Sequence, residues 1–140
     1  MSAPLPPASF WLRLFAGLYD LLPVLALWFV TGALALLVTG GALDYHAPAY
    51  RLALLGVATG YYVLSWMRGG QTIGMRAWRL RVVRADGGTL SARQALLRFA
   101  VALGSLAAAG LGLLWALVDA DWRGWHDLVA GTRVVRLPKP

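Results

Sequence analysis

The sequence predicts an all-α integral membrane protein with three hydrophobic helical segments and a short cytoplasmic β-like hairpin. Three observations carry that prediction. Of the 140 residues 59% are apolar and only 14% are charged, against about 45–50% and about 25% in ordinary soluble domains. A water-soluble sphere of this composition would expose large apolar patches. The apolar residues gather in three runs of roughly membrane-spanning length. The basic residues collect between and after those runs, as in loops that stay on the cytoplasmic side.

The chain reads as one membrane domain over 1–140, with hydrophobic segments at 11–39, 52–67 and 99–118, a basic loop at 68–98 and a basic tail at 119–140. In the first segment the run from Leu14 to Thr39 is broken only by Asp20; at ~1.5 Å per residue it exceeds the ~30 Å hydrocarbon core. Ala33-Leu34-Ala35 mimics a signal-peptide cleavage site. No Lys or Arg precedes Trp11, however, and the apolar run continues beyond that site, so cleavage is not expected. Pro23 is expected to kink this helix without ending it. The second segment lies between Arg51 and Arg68, at the lower edge of spanning length, with Trp66 marking its interface end. A short turn with Gly40-Gly41 and Pro48 makes the first two segments an antiparallel hairpin.

The loop after Arg68 holds Arg76, Arg79, Arg81, Arg84 and Arg93 against the single Asp86. Gln71 to Trp78 reads as a short interfacial helix, with Trp78 at headgroup depth. Arg79 to Arg84 reads as a strand and Asp86-Gly87-Gly88 as a turn. The third segment contains Ala100, Gly104, Ala108, Gly112 and Ala116, a four-residue ladder of small side chains. Such a ladder, like Gly56-x-x-x-Gly60, lets helices approach closely; chance in a stretch rich in small residues is the competing explanation. Length and the ladder favour a simple crossing by this segment. The basic tail, and its Arg133–Arg136 copy of Arg81–Arg84, favour a break at Ala109-Gly110 and re-entry. The balance tips towards a tail on the inside, with the two RVVR strands paired.

The charge is +7, from 13 Lys and Arg against six Asp. Because the basic residues lie between apolar runs, anionic headgroups are the expected partner and nucleic acid is not. The absence of Cys excludes disulfides and thiolate chemistry. His126-Asp127 lacks companions for a metal site, no Ser sits in a nucleophile elbow, and Gly69–Gly74 lacks the Lys of a phosphate loop. No enzyme, metal or cofactor is therefore expected.

Asp20 is the most informative residue. It lies about 10 Å deeper than Arg13 by helix rise. An Asp at the centre of a membrane helix costs roughly 2.5–3.5 kcal/mol on insertion scales. It needs a partner, and Arg13, two turns away, is too far for a direct bond. Arg98, opening the third run, is the expected one. The carboxylate either binds a cation or proton, or forms a structural ion pair.

Taken together, these residues resemble the RDD family of small membrane proteins, named for one Arg and two Asp. The resemblance runs from Phe10 to Val135. It rests on Arg13-x-x-Ala16-x-x-x-Asp20, Gly70-Gln71-Thr72-Ile73-Gly74 with Arg81-Val82-Val83, Arg98, and His126-Asp127-Leu128-Val129-Ala130-Gly131-Thr132. It implies a defining trio of Arg13, Asp20 and Asp127, with Gln71, Thr72, Gly74, His126, Gly131 and Thr132 in support. Met75 departs from the pattern where Lys or Arg is common, which removes one expected headgroup contact. For function the resemblance implies transport, with some members looking like sodium/proton antiporters, or a scaffolding role.

Two functions are therefore expected to compete. One is cation/proton exchange by a homo-oligomer packed through Gly56, Gly60, Gly104, Ala108 and Gly112, with Asp20 as carrier and Asp127 at the cytoplasmic mouth. The other is a non-enzymatic scaffold or assembly partner, with Arg13, Asp20, Arg98 and Asp127 as a polar clasp. Either places the protein in a bacterial cytoplasmic (inner) membrane, N-terminus and basic loop inside.

Overall fold

The computed structural model describes residues 4–108, 110–119 and 122–140. Helix α1 runs Phe10–Val38, capped by Ser9, whose side chain accepts from the Leu12 amide. It continues through Pro23, and at 29 residues it is the one helix in the described chain long and apolar enough to cross a membrane. Its buried residues, Ala16, Asp20 and Val24, form one narrow stripe at four-residue spacing. The outer half faces away from protein: Phe29, Leu37 and Val38 are each more than three-quarters exposed, as lipid-facing side chains are expected to be in a membrane helix.

Helix α2, Pro48–Gly69, starts with proline in its first turn, where the missing N–H costs nothing. It runs antiparallel to α1: Trp28 Nε1 donates to the Leu54 carbonyl at 2.9 Å, and Tyr61 Oη donates to Asp20 at 2.7 Å. The buried residues of α2 include Val63 and Trp66 near its end. The packed end of the pair is thus where α1 begins and α2 finishes. Gly70 ends α2 in the left-handed region at φ 67°, and a Cβ there would strike the Val82 carbonyl.

Helix α3 (Ile73–Ala77) and strand β1 (Leu80–Arg84) follow, both close to expectation. The strand's partner is distant. The Asp86–Gly88 turn forms, with the Gly88 amide donating to Asp86 at 2.8 Å. It then leads into helix α4, Ala92–Ala107, opened by a reciprocal cap between Ser91 and Gln94. Ser91-x-x-Gln94 is a capping-box spacing, and it starts this helix seven residues before the expected apolar run. Strand β1 instead pairs antiparallel with β2 (Thr132–Arg136), Val82 opposite Val134. The β-like hairpin is thus a long-range strand pair, and its two members are the RVVR copies, as their repetition suggested. The segment before α1 joins it, with the Ala8 amide donating to the Val134 carbonyl at 2.9 Å.

The third hydrophobic segment is broken. After α4 come Gly110 at φ 76°, the short α5 (Leu111–Leu114) and a 3-10 turn, Trp115–Leu117; Ala109, the other half of the expected break, lies outside the described residues. The five-rung ladder consequently does not share one helix face. Gly112 packs inside the chain against Ser105 and Trp125, whereas a Cβ on Gly56, Gly60 or Gly104 would meet nothing within 4 Å, and Ala108 is exposed beyond the end of α4. Helix α6, Trp125–Ala130, ends at Gly131 (φ 66°) and delivers the chain into β2.

Candidate functional site

Two buried carboxylates organise the packed end, each held by different elements. Asp20 is 3% exposed on α1. Its Oδ1 accepts from Tyr61 Oη at 2.7 Å and from the Gly74 amide at 2.8 Å, and its Oδ2 accepts from Thr72 Oγ1 at 2.6 Å. Tyr61 in turn accepts from the Ile73 amide at 3.1 Å. Thr72 is also the N-cap of α3, accepting from the Met75 amide. The Gly70–Gly74 motif thereby acquires a residue-by-residue account. Gly70 ends α2, Gln71 donates to the Leu80 carbonyl at 2.7 Å, Thr72 caps α3 and grips Asp20, and Gly74 lets α3 lie against α1.

This corrects the expected ion pair. Asp20 is bonded to three neutral donors, and Arg98 is committed elsewhere. The reason is the packing of α4 against α6, which puts Arg98 on Asp127. Met75, which stands where a Lys or Arg would be expected to reach headgroups, is 7% exposed in the core. Trp66, expected as an interface marker, is 6% exposed, with the Arg98 guanidinium 5.0 Å above its ring.

The second carboxylate, Asp127, has no exposed surface. Arg13 Nη2 donates to its Oδ2 at 2.5 Å, Arg98 Nη1 donates to its Oδ1, and the Gly124 amide donates to Oδ2 at 3.0 Å. Arg98 Nη1 also donates to Thr132 Oγ1 at 3.0 Å. Arg13 further donates to the Trp122 carbonyl, whose residue lies in the left-handed region at φ 56°. One carboxylate on α6 thus ties together the start of α1, the start of α4 and the entry to β2. Burial alone would raise the Asp127 carboxyl, but the two guanidiniums outweigh it and hold it well below the usual range.

His126 is 5% exposed beside this cluster. Arg13 Nη2 lies 3.2 Å from its Nε2. An arginine can only donate, so Nε2 accepts and the ring hydrogen sits on Nδ1. Burial first, then repulsion from Arg98, pushes the His126 imidazole down to about 3, so it is neutral at pH 7. Two arginines against one Asp127 leave this buried cluster one positive charge in excess.

A cavity of about 170 Å³ separates the two carboxylate nodes, lined by Arg13, Asp20, Trp66, Thr72, Arg98 and His126 among others. The predicted polar residues therefore do converge, as two nodes across a cavity and not as one cluster. Asp127 is enclosed, whereas an exchange mechanism would need it at an open mouth. Tyr61 and Trp66 went unrecognised as members of the site. A tyrosine hydroxyl and an indole N–H inside an apolar helix each need a partner when buried, and that was the available signal.

A model of the RDD family matches residues 7–131. The chain is 34% identical over 138 residues to a Bacillus subtilis (strain 168) protein described as "Uncharacterized protein YckC", covering 91% of this chain and 83% of that one. No solved structure matches.

Proposed function

The chain belongs to the RDD family of membrane proteins, and on that premise we propose that it is a non-enzymatic membrane scaffold or assembly partner whose Arg/Asp cluster is structural. One observation carries this reading. Each carboxylate is held by three fixed donors: Asp20 by Tyr61, Thr72 and Gly74, Asp127 by Arg13, Arg98 and Gly124. A buried charge satisfied in this way rigidifies its surroundings, and breaking it is costly.

In this reading α1 is the first span, and α2, less apolar but ~33 Å long, pairs with it as the second. Helix α4 is only ~24 Å long, short of the ~30 Å core. It therefore enters and returns through α5, which keeps β1 and β2 on one side. Arg68, Arg76, Arg81, Arg93 and Arg136 are exposed; the positive-inside rule puts that side in the cytoplasm of a bacterial inner membrane, against anionic headgroups. The open surfaces at Gly56, Gly60 and Gly104 serve contact with a second copy or a protein partner.

A second reading, sodium/proton exchange by an oligomer, draws on the cavity beside Asp20. To take an ion there, Asp20 has to release donors it already holds. Flux in proteoliposomes decides between the two. The scaffold predicts no pH-dependent sodium flux in the wild type, and a loss of folded yield in Asp20→Asn. Flux that disappears in a stable, well-folded Asp20→Asn overturns the scaffold in favour of exchange.

A further inference from the structure

The cavity between the two nodes has an unmet requirement. Arg98 Nε and Trp66 Nε1 are buried N–H donors without a hydrogen-bond partner, on residues only 4% and 6% exposed, and both residues line this cavity. Neither group can accept, so what they lack is an acceptor and not a cation. The neighbouring Arg13–Arg98–Asp127 cluster carries one positive charge in excess. Asp20 does not supply the acceptor: it is held by Tyr61, Thr72 and Gly74, and neither N–H bonds to it. At about 170 Å³ the space exceeds the ~150 Å³ that holds a benzene ring in an engineered protein interior.

The cavity also adjoins an apolar groove. Arg13, Gly17 and Tyr62 line both it and a groove of about 320 Å³ bounded by Phe10, Leu14, Leu18, Leu21 and Leu106. The groove follows α1 from the level of Arg13 towards its middle, ~10 Å from Leu14 to Leu21. In the proposed orientation that is the direction from headgroup depth into the acyl region.

We propose that this pair of spaces is a binding site for an anionic amphiphile. Its single phosphate or carboxylate head accepts from Arg98 Nε and Trp66 Nε1, and its acyl chain lies in the Phe10–Leu21 groove. The site goes beyond the scaffold reading and survives its failure, because the assay reads binding and neither flux nor yield.

The full chain, purified in a neutral maltoside detergent, is titrated with dioleoyl phosphatidic acid, oleate, dioleoyl phosphatidylcholine or inorganic phosphate and read by native mass spectrometry. One phosphatidic acid or oleate per chain is expected, retained at least about tenfold more strongly than phosphatidylcholine or phosphate. Whichever acid is retained identifies the head. Trp66→Phe removes one donor and keeps the ring. Gly17→Leu fills the opening shared by cavity and groove, where a Cβ meets nothing within 4 Å, and leaves both carboxylate nodes intact. Each is expected to weaken retention about tenfold, with a thermal midpoint for Gly17→Leu no lower than that of the wild type. Equal retention of phosphatidylcholine, equally tight binding of inorganic phosphate, or full retention by Gly17→Leu each overturns the proposal.

Discussion

Gly74→Ala tests the packed end most directly, because two physical effects there have opposite signs. Gly74 lies inside α3, and in a helix interior alanine is favoured over glycine by about 1 kcal/mol. Against that, a Cβ on Gly74 would fall 2.9 Å from Asp20 Cγ and collide with the Ala16 carbonyl. Both belong to α1, whose backbone cannot yield locally, so α3 has to lift away. Overpacking costs about 1–3 kcal/mol, and the Gly74 amide loses its charge-assisted bond to Asp20, a further ~1.5–3 kcal/mol. The net expectation is a loss of about 3 kcal/mol, or roughly 10 °C in apparent Tm for a chain of this length. Thermal unfolding in detergent, followed by intrinsic tryptophan fluorescence, measures it. Gly17→Ala is the control: no neighbour is within reach of its Cβ, so the helix term acts alone and the midpoint should rise. A neutral or raised midpoint for Gly74→Ala would mean that α3 does not lie against Ala16 and Asp20, and the account of the first node fails.

Thr72→Val removes both the α3 cap and one Asp20 donor, and is expected to cost about 2 kcal/mol in the same melt. Arg98→Met leaves Asp127 with Arg13 as its only guanidinium and should destabilise by about 3–5 kcal/mol; folded yield on size exclusion reports it. His126 supplies a pH dependence. Its folded value of about 3 lies below the ordinary imidazole value of 6.5, so between those values the unfolded chain binds the extra proton. Stability is then complete above about pH 6.5 and falls as pH drops towards 3. At pH 4.5 the loss is about 3 kcal/mol, and His126→Gln should flatten the Tm profile between pH 6.5 and 4.5. Asp127, held low in the fold, adds a loss in the same direction only below about pH 4.

Much of the architecture was legible because it is local. A 26-residue apolar run interrupted only by Asp20 (Leu14–Thr39) and an uncharged run of 16 residues (Leu52–Met67) announce α1 and α2. The β-like stretch Arg79–Arg84 announces β1, and the RVVR repeat correctly identified its partner. The start of α4 was misplaced because apolar composition outweighed the capping pair Ser91 and Gln94, although that pair decides where the first free amides are satisfied. Arg98 lies within this helix, and the packing of α4 on α6 gives it to Asp127 and not to Asp20.

From the residue types alone it follows that Asp20, Arg13, Arg98 and Asp127 each need a partner, since a charge in an apolar setting is too costly to leave alone. Which donor meets which carboxylate does not follow. That depends on distances between elements tens of residues apart, and neutral donors such as Tyr61, Thr72 and the Gly74 amide carry no charge to mark them in advance. Only the folded packing decides that Asp20 is satisfied without a cation. The same packing leaves buried N–H groups on residues that line a cavity, Arg98 Nε and Trp66 Nε1 among them, without an acceptor.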